Sequence, residues 1–133
     1  MELIKSKHIS FDWIIANAAV GSDHGEKIPS VQVAESTLST NVDATIDFVK
    51  QFLPLLVANG RIIIVSSWMA QLNVHHESIR KELTDPNITE ERILQMSREY
   101  REAAKKEDMG NWNWSAYRTS KALISAWERF ILP

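Results

Sequence analysis

Gly60-Arg61-Ile62-Ile63-Ile64-Val65-Ser66-Ser67 is a β-branched run that leaves a glycine turn and ends in two hydroxyls. Such a run reads as a strand covered on both faces, as in a parallel sheet. Upstream, Phe11-Asp12-Trp13-Ile14-Ile15-Ala16 reads as a second short buried strand, followed by Asn17-Ala18-Ala19 and a polar loop from Gly21 to Pro29. Between the strands the period changes. Leu38, Val42, Ile46, Val49, Leu53 and Leu56 recur at steps of three or four, which predicts an amphipathic helix from about Val33 to Ala58, interrupted near Pro54 and stopped by Asn59-Gly60. Strand, helix, strand is the order of a βαβ crossover, right-handed and with parallel strands. Open parallel sheets take their ligands outside the carboxyl ends of the strands, so Ser67 stands where a substrate is expected.

Beyond Ser67 the chain stays mostly polar and charged until Tyr117. The pattern predicts a helix from Thr89 to Glu107, with Glu90 and Glu91 in its first turn and Ile93, Met96, Tyr100 and Ala103 as an apolar stripe that packs on the rest of the domain, with a partner-binding surface as the alternative. A final helix is expected from about Ser115 to Leu132, with Leu123, Ile124, Trp127 and Ile131 on its apolar face. On that helix Tyr117 and Lys121 are four positions apart and share a face. A free phenol titrates near ~10, and bringing one to neutrality takes roughly 4 kcal/mol of preferential stabilisation of the phenolate, which an adjacent ammonium helps to supply. A phenol, an ammonium and the Ser67 hydroxyl around one carbonyl are the parts of a reductase.

Composition narrows the field. The 133 residues carry a formal charge of -2 and no cysteine. Without a basic cluster to neutralise phosphates, nucleic acid is not an expected partner. A disulfide framework and a thiolate metal site are excluded. The start Met1-Glu2-Leu3-Ile4-Lys5 lacks the apolar core of a secretory signal, and no apolar run approaches the roughly 20 residues that span a bilayer. The expectation is a cytoplasmic protein with no membrane partner. His8, His24, His75 and His76 show no ligand spacing joined to acidic partners, so they are read as surface residues and no metal is expected.

Four motifs in order resemble the short-chain dehydrogenase/reductase family, and within it the NADPH-dependent carbonyl reductases. Asp12-Trp13-Ile14-Ile15-Ala16-Asn17-Ala18-Ala19 resembles the strand and Asn-Asn-Ala-Gly turn that lies against the cofactor. Ser39-Thr40-Asn41-Val42 resembles the helix segment with the active-site asparagine. Gly60 to Ser67 resembles the strand ending in the catalytic serine, and Tyr117 to Lys121 the Tyr-x-x-x-Lys motif. Phe52-Leu53-Pro54-Leu55-Leu56, the insertion before Tyr117 and Ile88-Thr89-Glu90-Glu91 point to the carbonyl reductase branch.

The resemblance implies an α/β fold: the central part of a Rossmann-like doubly wound parallel sheet, lacking the family's N-terminal glycine-rich βα unit and its C-terminal strands. Residues 1–133 would be a single partial domain with a helical insertion at about 70–114, which in that branch accompanies a monomeric enzyme. It implies NADPH as cofactor and a small carbonyl compound as substrate. Tyr117 would be the general acid, Lys121 its tuning cation and a ligand of the nicotinamide ribose, Ser67 a donor to the developing alkoxide, and Asn41 the holder of a water that relays protons to Lys121. Asn17, Ala18 and Ala19 would lie along the cofactor with Tyr117 and Lys121. Trp68, Met69, Trp112 and Trp114 are candidates for an apolar substrate pocket, with core packing as the plain alternative. Ala16 and Ala19 replace the first asparagine and the glycine of the family turn. The second functional reading is a catalytically inactive remnant that serves as a binding or scaffold module.

Overall fold

The computed structural model describes residues 9–21 and 27–132; His8, His24 and most of the polar loop before Pro29 lie outside them. Strand β1 (Phe11–Ala16) pairs in parallel with β2 (Leu56–Ile64). Ile14 pairs with Ile62 and Ala16 with Ile64 on the face that packs on the helices, while Trp13 with Arg61 and Ile15 with Ile63 occupy the other face. That second face is bare, with Trp13 58% and Ile15 52% exposed. β2 starts earlier than expected, at Leu56 rather than Arg61. Pro54 lacks the N–H that would continue the helix, and Leu56 is already extended (φ -75°, ψ 132°). Asn59 takes φ 66°. The ladder therefore jumps from Phe11–Leu56 to Trp13–Arg61.

The connection between the strands is helical but not one α-helix. α1 (Val31–Leu38), capped by Ser30 Oγ on Val33 N, runs into a π-helical turn at Ser39–Asp43 and then α2 (Ala44–Phe52). Leu38, Val42, Ile46 and Val49 from the expected stripe are buried. The insertion holds two helices, α3 (Glu77–Leu83) and α4 (Glu90–Lys105). The first lay unrecognised in polar sequence, since only Ile79 and Leu83 of its seven residues are buried. Thr89 caps α4, and Ile93, Met96 and Tyr100 are buried as expected; Ala104 rather than Ala103 completes the stripe. α5 (Ala116–Phe130), capped by Ser115, is buried along Leu123, Ile124 and Trp127.

His75 is a correction to the sequence reading: it is 4% exposed. The loop after α4 lies against the turn that carries it, with Asn113 Nδ2 donating to Val74 O at 2.9 Å, and the loop residues Trp112 to Trp114 line the same cavity as His75. His76 is exposed and caps α3 through Nδ1. Among the described residues no helix is long and apolar enough to cross a membrane.

Candidate active site

The π turn, the end of β2 and the first turns of α5 converge on one cluster. Asn41, 2% exposed, sits in the middle of the π turn. Its Oδ1 accepts from Val20 N at 2.8 Å, and its Nδ2 donates to Val20 O at 2.8 Å and to Ser120 Oγ at 2.9 Å. Ser120 Oγ in turn donates to Tyr117 O at 2.8 Å. Both amide hydrogens of Asn41 are committed, so a water relay at this residue has only its main-chain carbonyl or the second lone pair of Oδ1 to use. One side chain thus ties the loop after β1 to the helix bearing Tyr117 and Lys121.

The insertion clamps the same turn from outside. Arg101 of α4 reaches Asp43 Oδ2 with Nη2 at 2.8 Å, and buried Ser97 donates to Asp43 Oδ1 at 2.9 Å. Such extra-residue turns inside helices recur at functional sites, and here two acceptors on Asp43 hold it in register.

Lys121 is 4% exposed. Its Nζ donates to Val65 O at 2.9 Å and lies 5.7 Å from the centre of the Tyr117 ring. Burial pushes its pKa below the ordinary lysine value, because water no longer solvates the charge. One of three ammonium donors is spent on Val65, which leaves capacity for further acceptors. Ser67, two residues past Val65, caps the short 3₁₀ turn Trp68–Ala70 by accepting from Met69 N at 3.1 Å. That bond uses a lone pair of the hydroxyl and leaves its hydrogen to donate. Ser66 is spent elsewhere, on Ser125 Oγ at 2.7 Å.

Asn17, Ala18 and Ala19 are exposed just past the carboxyl end of β1, and a cavity of about 420 Å³ opens beside Asn17 and Ala18 against α2. The tryptophans divide. Trp68, 71% exposed, lies under the Arg118 guanidinium at 5.9 Å, with Met69 half-buried in the same turn. Trp112 packs edge-on against Tyr100 at 5.6 Å, and with Trp114 and His75 it lines a separate cavity of about 450 Å³.

Three neighbours escaped the sequence reading. Gly21 packs on Tyr117: a Cβ there would stand 2.8 Å from Tyr117 Cγ and closer still to Cδ2. Arg118 occupies one of the unassigned positions of the Tyr-x-x-x-Lys motif, although a cation in a first helical turn opposes the macrodipole and is a signal in itself. His75 carried no signal in its spacing. Both its ring nitrogens are buried without a hydrogen-bond partner. Its pKa is lowered to about 4, first by burial and then by the Arg118 charge.

Comparison with known proteins places these features in context. The family model described as short chain dehydrogenase matches residues 1–79. Human carbonyl reductase (NADPH) 1 is 26% identical over 132 residues, covering 96% of this chain and 48% of the relative. Human carbonyl reductase (NADPH) 3 is 23% identical over 134 residues, again with 48% of its length covered. The chain thus spans about half the length of the curated relatives it matches. Salutaridine reductase from Papaver somniferum superposes with a TM-score of 0.81 at 24% identity, covering 98% of this chain and 57% of that one. Menthone neomenthol reductase from Mentha piperita gives 0.76 at 22%, with 98% and 59% covered. The short parallel sheet with its helices is the Rossmann-like arrangement of these structures.

Proposed function

This chain belongs to the short-chain dehydrogenase family, and from that premise we propose that it carries the catalytic half of an NADPH-dependent reductase of small carbonyl compounds. The observation that supports the reading best is the buried Lys121 ammonium, 5.7 Å from the Tyr117 ring and bonded to the carbonyl two residues before Ser67. We read residues 1–133 as one partial Rossmann-like domain with the insertion at about 70–114 folded onto it, part of a protein that when complete is a monomer working in the cytoplasm.

The residues present fit one end of a nicotinamide cofactor. Lys121 keeps donors for ribose hydroxyls, and Asn17, Ala18 and Ala19 offer small exposed side chains at the end of a parallel strand. The described glycines, Gly21, Gly60 and Gly110, form no phosphate cradle. When bound, the cofactor supplies hydride to the carbonyl carbon. Ser67 donates its free hydroxyl hydrogen to the carbonyl oxygen, where negative charge grows in the transition state. Tyr117 delivers its proton to that oxygen as general acid. The Lys121 cation favours the phenolate left behind. Asn41 and Ser120 act as positioning residues that hold Tyr117's helix against the loop after β1.

Gly21 belongs to the same positioning set. Gly21→Ala is expected to push the Tyr117 ring aside and lower turnover by about 10²-fold, the scale of a 1 Å misplacement, with the melting temperature nearly unchanged. Full turnover in that variant would show that the ring has room to spare.

A scaffold role is the second reading, favoured by the bare face around Trp13 and Ile15. Titration of NADPH into the purified 133-residue chain, followed by cofactor fluorescence with a circular dichroism check of folding, separates the two. Saturable binding is the expected result. A folded chain that does not bind would overturn the reductase reading for these residues alone and favour the scaffold.

A further inference from the structure

Among the described residues, nothing balances the charge of Arg118. The residue is half-buried, yet among the described residues its guanidinium makes no hydrogen bond or ion pair and only overlies Trp68 at 5.9 Å. It sits in the first turn of α5, at the positive end of the helix macrodipole, and that turn holds no acidic residue. His75 feels its charge. The two other half-buried arginines are paired, Arg92 with Glu82 and Glu99 and Arg101 with Glu35 and Asp43, whereas Arg61, Arg80, Arg98 and Arg129, which form no ion pair among the described residues, are all exposed. A half-buried arginine with no partner among the described residues, whose charge reaches a buried, unpartnered imidazole, is the arrangement of a site whose counter-ion is a ligand.

Resting on the reductase reading, we propose that Arg118, backed by His75, makes this chain select carbonyl substrates that bear a carboxylate. The planar fork of arginine matches a carboxylate through two parallel hydrogen bonds. Arg118 overlies the residue that follows Ser67 at the end of β2, whereas Asn17 to Ala19 end β1, so the anion it receives belongs to the substrate and not to the cofactor. The exposed Trp68 indole offers a flat apolar wall for the body of the same molecule.

The probe is a matched pair, 4-acetylbenzoate and its methyl ester, titrated against the 133-residue chain by ligand-observed NMR. The acid is expected to bind about tenfold more tightly, the range of one charge-assisted pair. Arg118→Gln brings the acid down to the ester, and Arg118→Lys restores part of the preference. Equal binding of acid and ester, binding of neither, or an undiminished preference in Arg118→Gln overturns the proposal. If Arg118→Gln fails its circular dichroism check, a salt series on the unaltered chain decides: a preference that shrinks with ionic strength supports the site and a constant one overturns it. Reduction of both ketones without preference sinks this inference and leaves the reductase reading standing. A preference without reduction does the reverse.

Discussion

Tyr117→Phe is expected to lower turnover about 10²–10⁴-fold, the usual contribution of a positioned general acid, in any polypeptide that carries these residues and reduces a ketone with NADPH. The substitution removes one hydroxyl and keeps the ring that Gly21 packs against, so the loop and helix stay in register. Cofactor affinity should change little, because Lys121 keeps its bond to Val65 O without help from the phenol. The control is Lys121→Met, which removes the cation from both partners and should damage cofactor affinity together with turnover. The pair of variants therefore separates proton delivery from cofactor holding: one loss falls on kcat alone, the other on kcat and binding. Undiminished reduction by Tyr117→Phe would remove the phenol from the mechanism and leave Ser67 as the alternative donor to the carbonyl oxygen.

What could be read from the chain beforehand follows from how local the physics is. Tyr117 and Lys121 share a face because any helix puts residues four apart together, and Ser67 follows a strand because β-branched runs announce themselves. The buried stripe Leu38, Val42, Ile46 and Val49 was legible for the same reason. The π turn at Ser39–Asp43 was not, because its hold comes from Asp43 reaching Ser97 and Arg101 more than fifty positions away. α3 hid in polar sequence because it buries only two side chains. Asn41 was identified by its motif neighbours, yet its three hydrogen bonds to Val20 and Ser120 depend on a loop and a helix that no spacing rule joins. His75 and Arg118 fail for the converse reason. Their meaning lies in what the described residues leave unpaired around them in space, and a sequence records only what is present.

Trp127→Ala should cost about 3–5 kcal/mol of unfolding free energy, the range for emptying the site of a large buried aromatic. Trp127 is 2% exposed at the centre of the helical layer, and its indole Nε1 donates to Glu90 Oε2 at 3.1 Å, joining α5 to the first turn of α4. Removing it opens a cavity and takes a partner from that carboxylate, whose other bond is to Lys50 of α2. Since native domains hold only about 5–15 kcal/mol, and since this sheet has two strands and one bare face, the loss is a large share of what keeps the chain folded. Trp13→Ser is the informative contrast. It changes a residue of the same type that is 58% exposed, and exposed substitutions away from special contacts fall within about 0.5 kcal/mol. Urea unfolding of both variants measures the two layers of the molecule separately. A small effect at Trp127 would deny that the helices form the core. A large, concentration-dependent effect at Trp13 would mean that the bare face is covered in solution by another copy of the chain, and the scaffold reading would then gain its first physical partner.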